Sequence, residues 1–275
     1  SQLLAEGYIC SKPRRGYYAC ELPEAPVLAS AAEDADRDSA PAGLNTHDAG
    51  GQSEQFALLS PSALEAARLW QSALRATLTS EDEREIFSPA PAQGTARLRC
   101  ALAHHLRGTR GMNVNPDNIV IGAGAQLLDT MLAQLLGTDK IYAVEDPGYL
   151  RLTRIYQAMG CKVRHIPLDG EGVNLGELLD AGADVLHLMP SHQYPTGLVT
   201  SIARRYALLS WAAEQPGRYL IEDDFDCEFR LAGKPIPALA SIDAAQSVIY
   251  TNTFSKSLSS ALRLAYMVLP DELME

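Results

Sequence analysis

Lys256 is the residue whose type and setting most suggest covalent chemistry. It sits in Ser247–Pro270, SVIYTNTFSKSLSSALRLAYMVLP, between an apolar β-rich run (Val248, Ile249, Tyr250) and a second from Leu262 to Leu269. Thr253, Ser255, Ser257, Ser259 and Ser260 surround it, and Arg263 follows seven residues on. Desolvation and nearby positive charge lower a lysine's pKa, leaving part of it neutral and nucleophilic toward a carbonyl. Hydroxyls and the planar donor fork of an arginine suit phosphate oxygens. An aldehyde cofactor that also carries a phosphate meets both demands, and pyridoxal 5'-phosphate is the candidate. A solvated lysine in a serine-rich loop gives the same local sequence.

The elements that would position this lysine come from the rest of the chain. Its 275 residues exceed one average domain, and a hydrophobic content of 47% allows a sizeable core. From Phe56 the core begins. Leu64, Ala67, Trp70 or Gln71, and Leu74 fall at helical spacing after Pro61-Ser62, and a second helix runs through Leu98, Leu102 and Leu106. Short apolar runs then alternate with helices: Ile119–Ile121, Ile141–Val144, Val163–Ile166, Val185–Met189, Tyr219–Ile221, Val248–Tyr250 and Leu262–Leu269. Near-continuous apolar strands alternating with helices predict an α/β, three-layer α/β/α fold with a mostly parallel, seven-stranded sheet. Such sheets bind ligands beyond the carboxyl ends of their strands.

Each strand-end loop therefore becomes a candidate. Gly122-Ala123-Gly124-Ala125-Gln126 opens a helix, and small residues there expose backbone N–H groups to an anion; tight packing explains the same residues equally well. Glu145-Asp146-Pro147-Gly148-Tyr149 ends on an aromatic that could stack on a planar heterocycle or cap the next helix. Ser191 to Gly197 follows the fourth run. Glu222-Asp223-Asp224-Phe225-Asp226 follows the fifth, and four acids there are costly to bury without partners. A pyridinium nitrogen would be one such partner. Metal ligation competes, but no histidine stands beside these acids at ligand spacing, and His104-His105 is far away in sequence.

The two ends of the chain read differently. Residues 1–20 look like the end of a helix stopped at Gly7, then two β-like runs, Tyr8–Ile9 and Tyr17–Ala19, around a basic turn with Lys12, Arg14 and Arg15. That turn suits DNA phosphates, or is ordinary surface charge on a hairpin. Residues 21–55 hold eight acids against Arg37 and few large apolar side chains, so they read as a flexible acidic linker. The net charge of −11 argues against the whole chain being a nucleic-acid binder. Five scattered cysteines without a CxxC pair indicate a reducing compartment. No apolar run reaches the roughly 18 residues that span a bilayer and no signal peptide opens the chain, so a cytoplasmic protein without membrane partners is expected.

Taken together, GAQ at 124–126, EDPGY at 145–149, PSHQYPTG at 190–197, IEDDFDCEFR at 221–230 and TFSKSLSSALR at 253–263 resemble fold-type-I pyridoxal-phosphate enzymes in order and spacing. More narrowly, they resemble the aminotransferase-like domain (aminotransferase class I/II) of MocR/GabR-type transcriptional regulators. The opening QLLAEGYICSKPRRGYYA resembles the last helix and wing of the winged helix-turn-helix that precedes that domain. The resemblance implies that Lys256 forms the internal aldimine, Asp223 pairs with the pyridine nitrogen and Tyr149 stacks on the ring. It implies that Ala125, Gln126, Thr253, Ser255 and Arg263 hold the phosphate, and it places Tyr194 in the cofactor site where ordinary aminotransferases carry Asn. It further implies three parts: a winged-helix remnant at 1–20, a linker at 21–55 and a large cofactor-binding domain at 56–275.

Two departures bear on function. Phe225 stands where the family carries a Tyr whose hydroxyl bonds the cofactor's phenolic oxygen, a bond that tunes the Schiff base. The family's small C-terminal domain, with the Arg that grips a substrate carboxylate, and the DNA recognition helix are expected to lie beyond the two ends of this chain. The resulting expectation is an effector-sensing domain of a MocR/GabR-like regulator, a homodimer that responds to an amine or amino acid ligand. DNA would be bound in the full-length context, not by this chain alone. A true aminotransferase, exchanging an amino acid with a keto acid through Lys256 as acid–base, is one alternative. An incomplete, inactive fragment is the other.

Overall fold

The computed structural model describes residues 9–12, 16–19, 61–79, 88–226 and 237–274. Contacts divide the chain into two units, Ser1–Ser53 and Glu54–Glu275. In the first, β1 (Ile9–Lys12) pairs antiparallel with β2 (Gly16–Ala19), Ile9 opposite Ala19 and Lys12 opposite Gly16. Arg14, Arg15 and the linker lie outside the described residues.

The second unit begins with α1 (Pro61–Thr79), which approaches the turn at 255–259. The sequence reads the core as starting here, yet Trp70, Gln71 and Leu74 are exposed, and Leu69 is 67% exposed. The helical spacing is real, but among the described residues no sheet face covers that stripe.

The core starts with α2 (Ala96–Arg110). The Thr95 hydroxyl accepts from Leu98 N at its start, and Gly111, at φ 66°, ends it. This cap satisfies a helix N–H that would otherwise lack a partner. The sheet follows as β3 (Ile119–Gly122), β4 (Ile141–Asp146), β5 (Lys162–Asp169), β6 (Gly172–Val173), β7 (Val185–Leu188), β8 (Tyr219–Asp223), β9 (Val248–Thr253) and β10 (Ala265–Val268). Their order is β3-β10-β9-β8-β7-β4-β5-β6. The β4–β5, β4–β7, β7–β8 and β8–β9 pairs are parallel, while β10 runs antiparallel to both neighbours.

The expected seven strands are all present, and β6 is an eighth of two residues paired antiparallel to the end of β5. It is too short to show a hydrophobic period in the sequence. Leu262 to Leu269 is not one strand. A 3-10 turn at Ser260–Leu262 precedes β10, and Arg263 between them takes the left-handed conformation, φ 51° and ψ 44°.

Helices α3 (Ala125–Leu136) and α4 (Leu150–Ala158) cover one face of the sheet, where Leu128, Leu132, Leu152 and Tyr156 pack on Val144, Val185, Ile221 and Ile249. On the other face lie α5 (Leu175–Asp180), α6 (Ile202–Ala213) and α7 (Leu239–Ile242), with Leu178, Leu208, Trp211 and Leu239 against Ala143, Leu186, Leu220 and Val248. Alternate residues of each central strand thus enter opposite layers, as the period of two requires. Helix α2 packs on the β3–β10–β9 end through Leu102 and Leu106.

Candidate functional site

A cavity of about 360 Å3 opens at the carboxyl ends of the strands. Every cofactor-site residue expected from the sequence lines it: Ala125, Gln126, Tyr149, Tyr194, Asp223, Thr253, Ser255, Lys256 and Arg263. They come from the ends of β8 and β9 and from the segments that follow β3, β4, β7 and β9, which the chain order separates and the parallel sheet brings together.

The anion-seeking end is built where α3 begins. Gly124, at φ 98°, starts the helix without a side-chain cap; Leu127 N turns back to Gly124 O at 3.2 Å, and the Ala125 and Gln126 N–H groups are left to a ligand. A Cβ on Gly124 would lie 2.0 Å from an Arg263 guanidinium nitrogen, so only glycine lets that side chain in. Arg263 Nη1 also donates to Ser260 O at 3.3 Å. The Thr253 hydroxyl, also lining the cavity, donates to Ser255 Oγ at 2.9 Å and accepts from Ser255 N at 3.2 Å, which fixes two hydroxyls side by side.

Lys256 lies in a π-helical turn, Ser255–Ser259. It is exposed, so the desolvation expected from the sequence is not supplied by the described residues. Tyr149 and Tyr194 stand on the rim, ring centroids 6.0 Å apart and edge to face. Tyr149 occupies the N-cap position of α4 but makes no side-chain capping bond, so its ring is free to serve the cavity. Before it, Gly148 is required because a Cβ there would sit 2.2 Å from Glu145 O.

The acid cluster resolves by alternation along β8. Glu222 points to the α6 layer, where it accepts from Leu239 N and Ala240 N at 2.9 Å and lies 3.6 Å from the buried Arg205 guanidinium. Asp224 on the same side pairs with Arg110 Nε at 2.8 Å and accepts from the Tyr250 hydroxyl at 2.7 Å. Asp226 meets His192 Nδ1. Asp223 alone faces the cavity, with no hydrogen bond or ion pair among the described residues. Desolvation, then the Asp129, Asp224, Glu145 and Asp226 carboxylates, raise its pKa well above the usual carboxylate range. A carboxylate in this state favours a cationic partner.

Asp129, Arg151, Leu152 and Met189 also line the cavity without being candidates from the sequence, and Ser260, one of the hydroxyls flanking Lys256, lines it too. Asp129 had a detectable signal, since it lies one helical turn after Gln126 and so shares its face. Phe225 lines the cavity and stacks on His192, centroids 6.4 Å apart. Chemically, the cavity offers donors for an anion at one end, an acid for a cation on its floor, a primary amine and two rim aromatics. This set fits a phosphorylated aromatic heterocycle with a basic ring nitrogen and a carbonyl.

Known proteins agree with that architecture. Residues 53–275 match the family model described as aminotransferase class I and II. The chain is 38% identical over 275 residues to the uncharacterized HTH-type transcriptional regulator YhdI of Bacillus subtilis, covering 100% of this chain and 57% of that protein. It is 32% identical over 181 residues to the probable rhizopine catabolism regulatory protein MocR of Rhizobium meliloti, covering 66% of this chain and 36% of that one. Among solved structures it is similar to LysN, an α-aminoadipate aminotransferase from Thermus thermophilus complexed with N-(5'-phosphopyridoxyl)-L-leucine. That match has a TM-score of 0.63 and 28% identity, and covers 78% of this chain and 54% of that one. The chain thus spans little more than half the length of YhdI and of LysN.

Proposed function

The chain belongs to the aminotransferase class I and II family and is homologous to MocR/GabR-like regulators, and from that premise we propose that its cavity binds pyridoxal 5'-phosphate through Lys256. The observation that carries the proposal is Asp223. Its neighbours Glu222, Asp224 and Asp226 are each held by protein groups, while its own carboxyl is left to the cavity. When bound, the cofactor supplies an electron-withdrawing ring and a carbonyl that exchanges amines. The Lys256 amine would hold the cofactor through its carbonyl carbon, and the Asp223 carboxylate would keep its ring nitrogen protonated. The α3 N–H groups, Thr253, Ser255 and Arg263 bind the phosphate, and Tyr149 and Tyr194 cover the ring.

In this reading the bound group senses an amine or amino acid for a transcriptional regulator, in a homodimer. YhdI and MocR, both named as regulators, support it, as does Phe225, which offers no hydroxyl to the ring oxygen. Titrating amino acids into the loaded chain, with the near-visible band as readout, tests the sensing role. Turnover of an amino acid with a keto acid would instead favour an aminotransferase, the activity named for LysN. The mass of the chain in solution tests the dimer. Lys12 belongs to the β1–β2 hairpin, and the net charge of −11 opposes a DNA backbone, so the isolated chain is expected to bind DNA weakly. Specific, salt-sensitive retardation of a DNA fragment by this chain would contradict that.

A further inference from the structure

Asp129 lines the cavity, Tyr156 and His187 do not, and none of the three has a task in the binding role above. All three share the sheet face of Asp223. His187 lies between Val185 and Met189, which both belong to the α3–α4 layer, so the strand period places it in that layer as well. It is in register with Ile221 of β8, and Asp223 is the next residue of β8 on that face. Tyr156 and His187 are fully buried, and the Tyr156 hydroxyl lies 2.7 Å from His187 Nδ1. Asp129 is 5% exposed and lines the cavity, and it makes no hydrogen bond or ion pair among the described residues.

The floor therefore presents two carboxyls, Asp129 and Asp223, set in an apolar wall of Leu128, Leu132, Leu152 and Ile221. Among the described residues, the groups facing them do not supply a counter-charge. His187 is held neutral, because burial pushes its pKa down to about 3, and Tyr156 is kept a phenol by the same burial. Arg151, Lys256 and Arg263 line the cavity at exposed positions and form no ion pair with either acid. Glu145, on β4, adds only negative charge if ionised, and burial holds its pKa up at about 7. Two neighbouring carboxyls without a cation in a low dielectric do not both ionise; they titrate as a pair.

We propose that Asp129 and Asp223 hold one proton between them at neutral pH, so that the cavity floor carries one negative charge and matches a single cationic ring nitrogen. With the ring bound, Asp223 is the ionised member that meets the nitrogen, and Asp129 is the neutral member. Asp129 is thus a positioning residue, acting through the charge of Asp223. In the empty cavity burial and the surrounding carboxylates raise Asp223 well above the usual range, while burial raises Asp129 to about 7, so the shared proton resides on Asp223 until a cationic ring nitrogen shifts it to Asp129. The inference rests on the pyridoxal-phosphate reading of the cavity, and deepens it by fixing the floor's charge.

The test uses the full 275-residue chain with pyridoxine 5'-phosphate, which carries the ring and the phosphate but no aldehyde. Infrared difference spectra of the loaded wild type against Asp129→Asn are expected to show a protonated carboxylic acid carbonyl stretch that the variant lacks. Asp223→Asn is expected to weaken the probe about tenfold or more, because it removes a charged partner, whereas Asp129→Asn shifts its Kd less than about threefold. Asp129→Ser, also neutral, replaces Asn if the latter does not fold. An unchanged carboxylic acid band, or a loss of affinity in Asp129→Asn equal to that in Asp223→Asn, overturns the shared proton while leaving cofactor binding intact. A wild type that does not bind the probe overturns the binding reading instead. The ligand-free wild type against the Asp129→Asn/Asp223→Asn double variant then still reports whether the pair holds a proton.

Discussion

At the scale of single residues, the site rests on which side chains lack partners among the described residues. Four acids in five positions read as one cluster in the sequence, and only the alternation of β8 separates their tasks. Lys256, its hydroxyls and Arg263 were legible because a lone amine among hydroxyls is a chemical pattern. Asp129 is less legible: its spacing puts it on the helical face of Gln126, but a single acid in an apolar helix does not reveal the cavity it lines. Asp223→Asn keeps the shape and removes the charge. It is expected to lower cofactor affinity about tenfold or more, worth roughly 1.5–3 kcal/mol for a hydrogen bond to a charged group. Equilibrium dialysis of pyridoxal phosphate checks this, and an affinity equal to wild type would remove Asp223 from the floor.

At the scale of elements, the parallel strands were legible because each is a short apolar run buried on both faces. Two features were not. The strand β6 is too short to carry a period, and the exposure of α1 depends on tertiary packing that helical spacing does not encode. The start of α3 is the element on which phosphate binding turns. Gly124→Ala places a methyl group into the Arg263 guanidinium at φ 98°. Backbone strain of this kind costs about 1–3 kcal/mol, so thermal unfolding is expected at a lower temperature. Affinity for inorganic phosphate is expected to fall as Arg263 is displaced. An Ala variant that binds phosphate like wild type would dissociate Arg263 from the anion site.

At the scale of the whole molecule, stability is coupled to the buried charges around the site. Arg205 is fully buried and donates to Thr200 O, Pro190 O and Pro237 O beside Glu222. Arg205→Met leaves Glu222 buried without its cation, which costs about 3–5 kcal/mol in urea unfolding. Glu145 is buried too, and burial pushes its pKa from 4.5 to about 7 against the Met189 N–H and Gln193 donors. A carboxyl raised on folding binds more protons folded than unfolded, so its contribution is present below about pH 4.5 and is lost as pH rises toward 7. Glu145→Gln removes that loss, and its stability relative to wild type is expected to rise across this window. A flat difference would mean that Glu145 does not titrate there. The central claim, that the chain holds pyridoxal phosphate through Lys256, is tested most directly by the near-visible absorbance of the purified chain with the cofactor added, beside Lys256→Ala. The account expects a lysine-bound cofactor band in the wild type that the variant lacks. A folded wild type without the band, or a variant that keeps it, would contradict the account.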